Sequence, residues 1–111
     1  MTLKEVAEKI GGTIVVDVPG AVASSAYAGD LLSDVMGHAG DESVLVTVQN
    51  HLNAIAVCTL VGITIIVICH ARPIPPDMAE AAKREGVAIV TTPLSQYAAA
   101  LALHELPPCE R

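Results

Sequence analysis

Phenylalanine and tryptophan are absent from these 111 residues, and Tyr27 and Tyr97 are the only aromatic side chains. The core must therefore be built from Val, Ile, Leu and Ala, which suits closely packed α/β layers. Basic residues are also scarce, six against twelve acidic ones, for a formal charge of -6. An acidic surface repels phosphate backbones and anionic lipids, which argues against a nucleic-acid partner and against a membrane partner. Cys58, Cys69 and Cys109 are odd in number and lie in no paired spacing. Two of them fall inside apolar runs, the pattern of reduced, buried thiols in a cytoplasmic protein.

Motifs are missing as well. Without a GxxxxGK[ST] loop, phosphoryl transfer through a P-loop is excluded, and the GxGxxG dinucleotide fingerprint is absent too. No GxSxG elbow surrounds a serine, so Ser24 and Ser25 read as packing residues of a small-residue segment. A metal site on His51, Cys69 and His70 lacks any CxxC, HxxxH or HExxH spacing, and adjacent side chains on a strand point to opposite faces. No catalytic residue, metal ligand or cofactor is assigned on this basis. The N-terminal stretch TLKEVAEKIGG has no apolar signal-peptide core.

What is present centres on residues 43–70, SVLVTVQNHLNAIAVCTLVGITIIVICH. Two β-branched runs, 43–48 and 64–69, are apolar without alternation, as expected of parallel strands covered on both faces. Between them Asn50 is set to cap a helix and Gly62 to end it, giving a βαβ unit. The segment 43–69 carries no Asp, Glu, Lys or Arg and is long enough to raise membrane insertion as a rival. Against a membrane span stand Gly62, the Asn50 and Asn53 pair, acidic Asp41 and Glu42 just upstream, and no basic flank before Arg72.

The rest of the chain falls into order around that unit. A helix over 2–10 starts on a Thr2/Glu5 capping box and ends at Gly11-Gly12. A strand over 13–18 stops at Pro19-Gly20. Small residues 21–28 make a second strand that another backbone approaches closely. A helix over 30–38 is expected with Asp30 as its cap and Leu31, Leu32, Val35 and Met36 inward. The proline-rich HARPIPPD follows the second central strand. Asp77, with Glu80 completing a box, caps a helix that Gly86 closes. A last strand covers 87–91. Thr92 caps and Pro93 opens a helix over 94–106 with Leu94, Tyr97, Ala98, Leu101 and Ala102 on one face, and the tail 109–111 frays. This order predicts one domain over residues 1–111. It is a three-layer α/β/α sandwich on a mainly parallel, mixed five-stranded sheet.

The runs AYAGDLLSDVM and LVTVQNHLNAIAV, then a strand, a proline-bearing loop and GVAIVTT, resemble the DRTGG domain family across residues 3–104. Related modules occur in bacterial phosphotransacetylases, beside the catalytic domain of HPr kinase, and between regulatory domains of some pyrophosphatases. The family's Asp-Arg pair would fall on Asn50 and His51, and its Thr-Gly-Gly on Cys69, His70 and Ala71, so the signature identities are replaced here. The resemblance implies an accessory, regulatory module that is dimeric and not catalytic.

Ligands of open α/β sheets gather at the carboxyl ends of parallel strands. That edge should carry Gln49, Asn50 and His51, then His70 and Arg72, then Thr91 and Thr92; of these Asn50, His51, His70, Arg72 and Thr92 are the expected contacts of a phosphate-bearing small molecule beside helix N-termini. The bland alternative is capping by Asn50 and Thr92 with the imidazoles on a solvated rim. The apolar run YAAALAL in the last helix and the small-residue strand are the expected contacts of a homodimer or a protein partner. The leading expectation is a regulatory or ligand-binding module. The alternative is a small enzyme or transferase accessory subunit that binds a phosphorylated ligand at the strand ends.

Overall fold

A computed structural model describes residues 1–109. Helices and strands alternate: α1 (Leu3–Lys9), β1 (Thr13–Val16), β2 (Ser25–Ala28), α2 (Leu32–His38), β3 (Ser43–Thr47), α3 (Leu52–Val61), β4 (Ile63–Ile68), α4 (Pro76–Glu85), β5 (Ala88–Thr91) and α5 (Gln96–Ala102). The strands form one sheet in the order β1-β5-β4-β3-β2. Neighbours from β2 to β5 are parallel, while β1 runs antiparallel to β5 at the edge. The mixed α/β sheet expected from the sequence is therefore the observed one.

The strands β2, β3, β4 and β5 march across the sheet in one direction, so right-handed crossovers put all three linking helices on the same face. Packing shows this arrangement. Val35 of α2, Ile55 and Cys58 of α3, and Met78, Ala81 and Ala82 of α4 cluster with Leu45, Ile66, Ile68 and Ile89 of the sheet. On the other face Leu3, Val6 and Ala7 of α1 and Ala99 of α5 cluster with Val44, Val46, Ile65, Val67 and Val90. Every residue of β3 is buried, and β4 is buried except for Thr64, which explains the unbroken apolar runs. Each fully buried Val, Ile or Leu contributes roughly 1.5–3 kcal/mol relative to exposure, so the centre of the sheet dominates stability.

The uncharged stretch 43–69 is thus divided among β3, α3 and β4. Among the described residues no helix is long and apolar enough to cross a membrane. The Thr2/Glu5 capping box forms, and Gly62 and Gly86 end α3 and α4 with φ of 84° and 72°, the left-handed conformation glycine tolerates best.

Four helix starts differ from expectation. The cap of α2 is Leu31, without a side-chain bond, and Leu31 and Met36 are 62% and 39% exposed rather than inward. His51, not Asn50, occupies the cap position of α3. Pro75 caps α4, so no Asp77/Glu80 box forms, and the Asp77 carboxylate instead accepts from the adjacent Met78 N–H at 2.8 Å. Ser95, accepting from Ala98 N–H at 3.1 Å, caps an α5 that starts later and ends earlier than expected. The buried side of α5 is Ala99, followed by Leu103, whereas Tyr97 and Leu101 are 76% and 54% exposed.

The backbone that approaches the small-residue strand is the chain's own C-terminal segment. Ala26 donates to Pro107 O at 2.9 Å and accepts from Cys109 N–H at 3.1 Å, so residues 107–109 close the outer edge of β2. Cys109 is held rather than frayed; the remainder of the expected frayed tail, Glu110 and Arg111, lies outside the described residues.

Candidate functional site

The carboxyl ends of the four parallel strands place Asp30, Gln49, Asn50, His70 and Thr92 along one edge of the sheet. The loops after β2, β3 and β4 lead to the face that carries α2, α3 and α4; the loop after β5 leads to the opposite face. The point of divergence, where α/β sheets open a ligand crevice, thus falls between β4 and β5. In this chain backbone bonds bridge it. His70 N–H donates to Leu94 O at 2.9 Å and Ala71 N–H to Thr92 O at 2.8 Å.

Making those bonds requires two consecutive non-glycine residues in the left-handed region, His70 at φ 59° and Ala71 at φ 51°. Each costs roughly 1–2 kcal/mol against ordinary backbone. The turn leaves the side chains of His70 and Arg72 exposed to solvent.

Asn50 is partly buried, and its side-chain amide donates to Pro73 O at 2.8 Å. The residue expected to cap α3 instead clamps the loop after β3 to the loop after β4. His51 beside it is exposed and borders a surface groove of about 380 Å³ together with Leu52, Asn53, Pro75 and Asp77. These residues belong to the first turns of α3 and α4, which therefore open side by side.

Thr92 does something else. It is 1% exposed; its hydroxyl donates to Ile10 O at 2.8 Å and accepts from Leu94 N–H at 3.3 Å. This buried hydroxyl secures the end of α1 to the loop before α5. Of the five residues expected to contact a ligand, Asn50, His51, His70 and Arg72 lie on the two loops joined by the Asn50–Pro73 bond, and Thr92 faces the interior.

A second polar group at this edge is built around Asp30, which the sequence assigns to a helix cap. One carboxylate oxygen of Asp30 accepts from Thr47 Oγ1 at 3.1 Å, Val48 N–H at 3.1 Å and Gln96 Nε2 at 2.9 Å. Gln49 Nε2 donates to the Asp30 carbonyl at 2.8 Å. Asp30 thereby ties β2 to β3 and to the start of α5. The available signal was an acidic residue placed just beyond a strand, but its type equally suits a helix cap.

The thiols of Cys58 and Cys69 lie away from solvent. Burial pushes the Cys58 thiol up to about 12. Burial, with the Asp30 charge adding to it, pushes Cys69 up to about 11. Both remain protonated at neutral pH and are poor nucleophiles and poor metal ligands. Among the described residues no group of three His, Cys, Asp or Glu side chains could hold a metal ion.

No protein-family model and no curated protein matches this chain. A solved structure does: the crystal structure of the CBS and DRTGG domains of the regulatory region of Clostridium perfringens pyrophosphatase, complexed with its activator diadenosine tetraphosphate. The match has a TM-score of 0.72 at 10% sequence identity and covers 96% of this chain. This chain spans about half of that one, 47%. At this identity the likeness concerns the fold. With the alternating elements, the mixed sheet and the resemblance of the sequence agreeing, the chain has a DRTGG-like fold.

Proposed function

We propose that this chain is a regulatory ligand-binding module without chemistry of its own, working as a cytoplasmic homodimer and responding to a phosphate-bearing small molecule. The observation that carries the reading is the left-handed pair His70 and Ala71 at the divergence of the sheet. Backbone strain of this kind is retained where the surrounding structure and its use require it. Here it presents His70 and Arg72 beside the loop that Asn50 clamps, with His51 at the first turn of α3. Two imidazoles, a guanidinium and adjacent helix starts make a surface suited to an anion. Asp77 opposes an anion at one wall of the groove, so the phosphate belongs on the His70 and Arg72 side. Support from outside the chain comes from the pyrophosphatase regulatory region of similar fold, which is complexed with an adenine dinucleotide.

The test is thermal shift with inorganic phosphate, acetyl phosphate and diadenosine tetraphosphate at pH 6 and pH 8. A ligand of native protein raises stability by about 2.7 kcal/mol at a hundredfold excess over Kd. His70→Ala and Arg72→Ala should each reduce the shift, while Lys83→Ala, on the outside of α4, should not. No shift with any of the three at either pH overturns the reading. Turnover of acetyl phosphate lost in His51→Ala would replace it with an enzyme.

A further inference from the structure

The two edges of the sheet are protected differently. An open edge strand offers N–H and C=O groups to any other strand, and proteins blunt such edges with bulges, charge, proline or a covering segment. β1 carries its own protection: its register with β5 shifts between Ile14 and Val16, and Asp17 and Pro19 follow. β2 does not. Ser25, Ala26, Tyr27 and Ala28 include no charge and no proline, and they pair with β3 without a register shift.

Residues 107–109 cover β2 instead, as a strap. Ala26 N–H donates to Pro107 O at 2.9 Å, and Ala26 O accepts from Cys109 N–H at 3.1 Å. The carbonyl of Pro107 and the amide of Cys109 thus face β2, and by alternation the backbone of Pro108 between them faces away. Proline has no N–H, so the strap's outer side lacks the donor with which Pro108 would otherwise recruit a further strand. Side chains help to seat it. Ser25 Oγ lies 3.2 Å from Cys109 Sγ, and Leu106 and Pro108 line a groove of about 190 Å³ together with Ala26, Ala28 and Leu103.

Beneath the strap the edge is self-complementary. Gly29 N–H donates to Val46 O, so Tyr27 and Gly29 bond towards β3 while Ala26 and Ala28 face outward. A second β2, laid antiparallel about a two-fold axis at Tyr27, sets Ala26 opposite the partner's Ala28 and Ala28 opposite the partner's Ala26. Each such pair exchanges both of its N–H···O bonds. The two pairs together equal the bonds lost when both straps lift, so the exchange is even in backbone hydrogen bonds. Attachment decides it: a segment on the same chain acts at an effective concentration of roughly millimolar, above that of a second copy in dilute solution.

We propose that residues 107–109 are an edge guard, and that the partner they exclude is β2 of a second copy, paired antiparallel about Tyr27. This association is separate from the homodimer proposed above, because the closed strap suppresses it.

The test is sedimentation equilibrium at matched concentration on the full chain and on a chain ending at Leu106, with circular dichroism confirming the fold of each. The shortened chain should form a species of roughly double the full chain's mass or more, whether the full chain is a monomer or a dimer. Ala28→Pro in the shortened chain should restore the full chain's mass, because it removes an N–H from the outer side of β2 and touches no bond to β3. Cys109→Pro at full length removes the donor to Ala26 O and makes the same comparison if the shortened chain does not fold. It should raise the mass in the same way, and Ala28→Pro should again reverse the rise. A folded shortened chain with the mass of the full chain overturns the proposal; where that chain does not fold, an unchanged mass for Cys109→Pro does so. Added mass that persists with Ala28→Pro overturns it as well, since the copies then meet elsewhere.

Discussion

Replacing Asp30 with alanine removes one carboxylate oxygen that three donors share: Thr47 Oγ1, Val48 N–H and Gln96 Nε2. Bonds to a charged acceptor contribute about 1.5–3 kcal/mol each when counted alone. Here they share an atom on a partly exposed residue, and the released donors gain some access to water. A total near 3 kcal/mol is therefore expected for Asp30→Ala. Asp30→Asn keeps an oxygen acceptor in place and should cost about 1 kcal/mol, the ordinary value of a neutral hydrogen bond. For a domain of this length 3 kcal/mol corresponds to a fall in Tm of roughly 12 °C or more. Urea unfolding monitored by far-UV circular dichroism measures it directly, with the midpoint lowered at unchanged slope. The reasoning fails if Asp30→Ala costs under about 1 kcal/mol. It fails equally if Gln96→Ala alone costs as much, since one of three donors would then account for the whole effect.

Thiol chemistry provides a second check: a thiol reagent at pH 8 should label Cys109, which is partly exposed, while Cys58 and Cys69 react only on unfolding. The same shifts set an alkaline limit. Unfolded thiols ionise near their ordinary value, whereas the folded ones hold their protons to about 12 and about 11. Stability should therefore fall as pH rises from about 9 towards those values, and Cys58→Ala with Cys69→Ala should flatten that slope. Gly62→Ala should destabilise by about 1–3 kcal/mol, because the residue sits at φ 84° and an added Cβ would lie 2.1 Å from an Asp41 carboxylate oxygen. In an Asp41→Ala background the carboxylate contact disappears while the 3.1 Å approach to the backbone Cα of residue 41 stays, so about 1 kcal/mol or somewhat more should remain, a double-mutant cycle readable in urea.

The parts of the fold legible in the sequence were those decided locally or by burial. The runs 43–48 and 64–69 are apolar on every side chain because β3 and β4 are covered by helices on both faces. Gly62 and Gly86 end their helices because a left-handed residue is needed there. What escaped was decided at long range. Asp30, Asn50 and Thr92 have the chemistry of caps, yet their side chains bond to Gln96, Pro73 and Ile10, which are 66, 23 and 82 residues away. A side chain of that type serves either use equally well, and only the tertiary neighbours choose. The rotation of α5 was illegible for another reason. With Ala98, Ala99, Ala100 and Ala102 spread around it, several phases look alike, and the structure buries Ala99 while exposing Tyr97. At the candidate site, the edge and four of its residues followed from topology, while the bridging of His70 to Leu94 and the Asp30 group depended on loops no pattern specifies.

The two ends of the described chain are fastened to neighbouring positions. The amino group of Met1 donates to Ala23 O at 2.9 Å, and Cys109 N–H donates to Ala26 O at 3.1 Å. Ala23 and Ala26 are separated by no more than about 11 Å of extended chain. Entry and exit therefore lie on one side of the sheet, away from the carboxyl edge of β4 and β5. A domain wired in this way can be spliced into a host loop without forcing the host's flanks apart. It can also be permuted, its ends joined by a short glycine linker and reopened at the exposed Gly86 turn. The loops carrying His51 and His70 would keep their geometry in either arrangement, because nothing in that geometry depends on where the polypeptide starts.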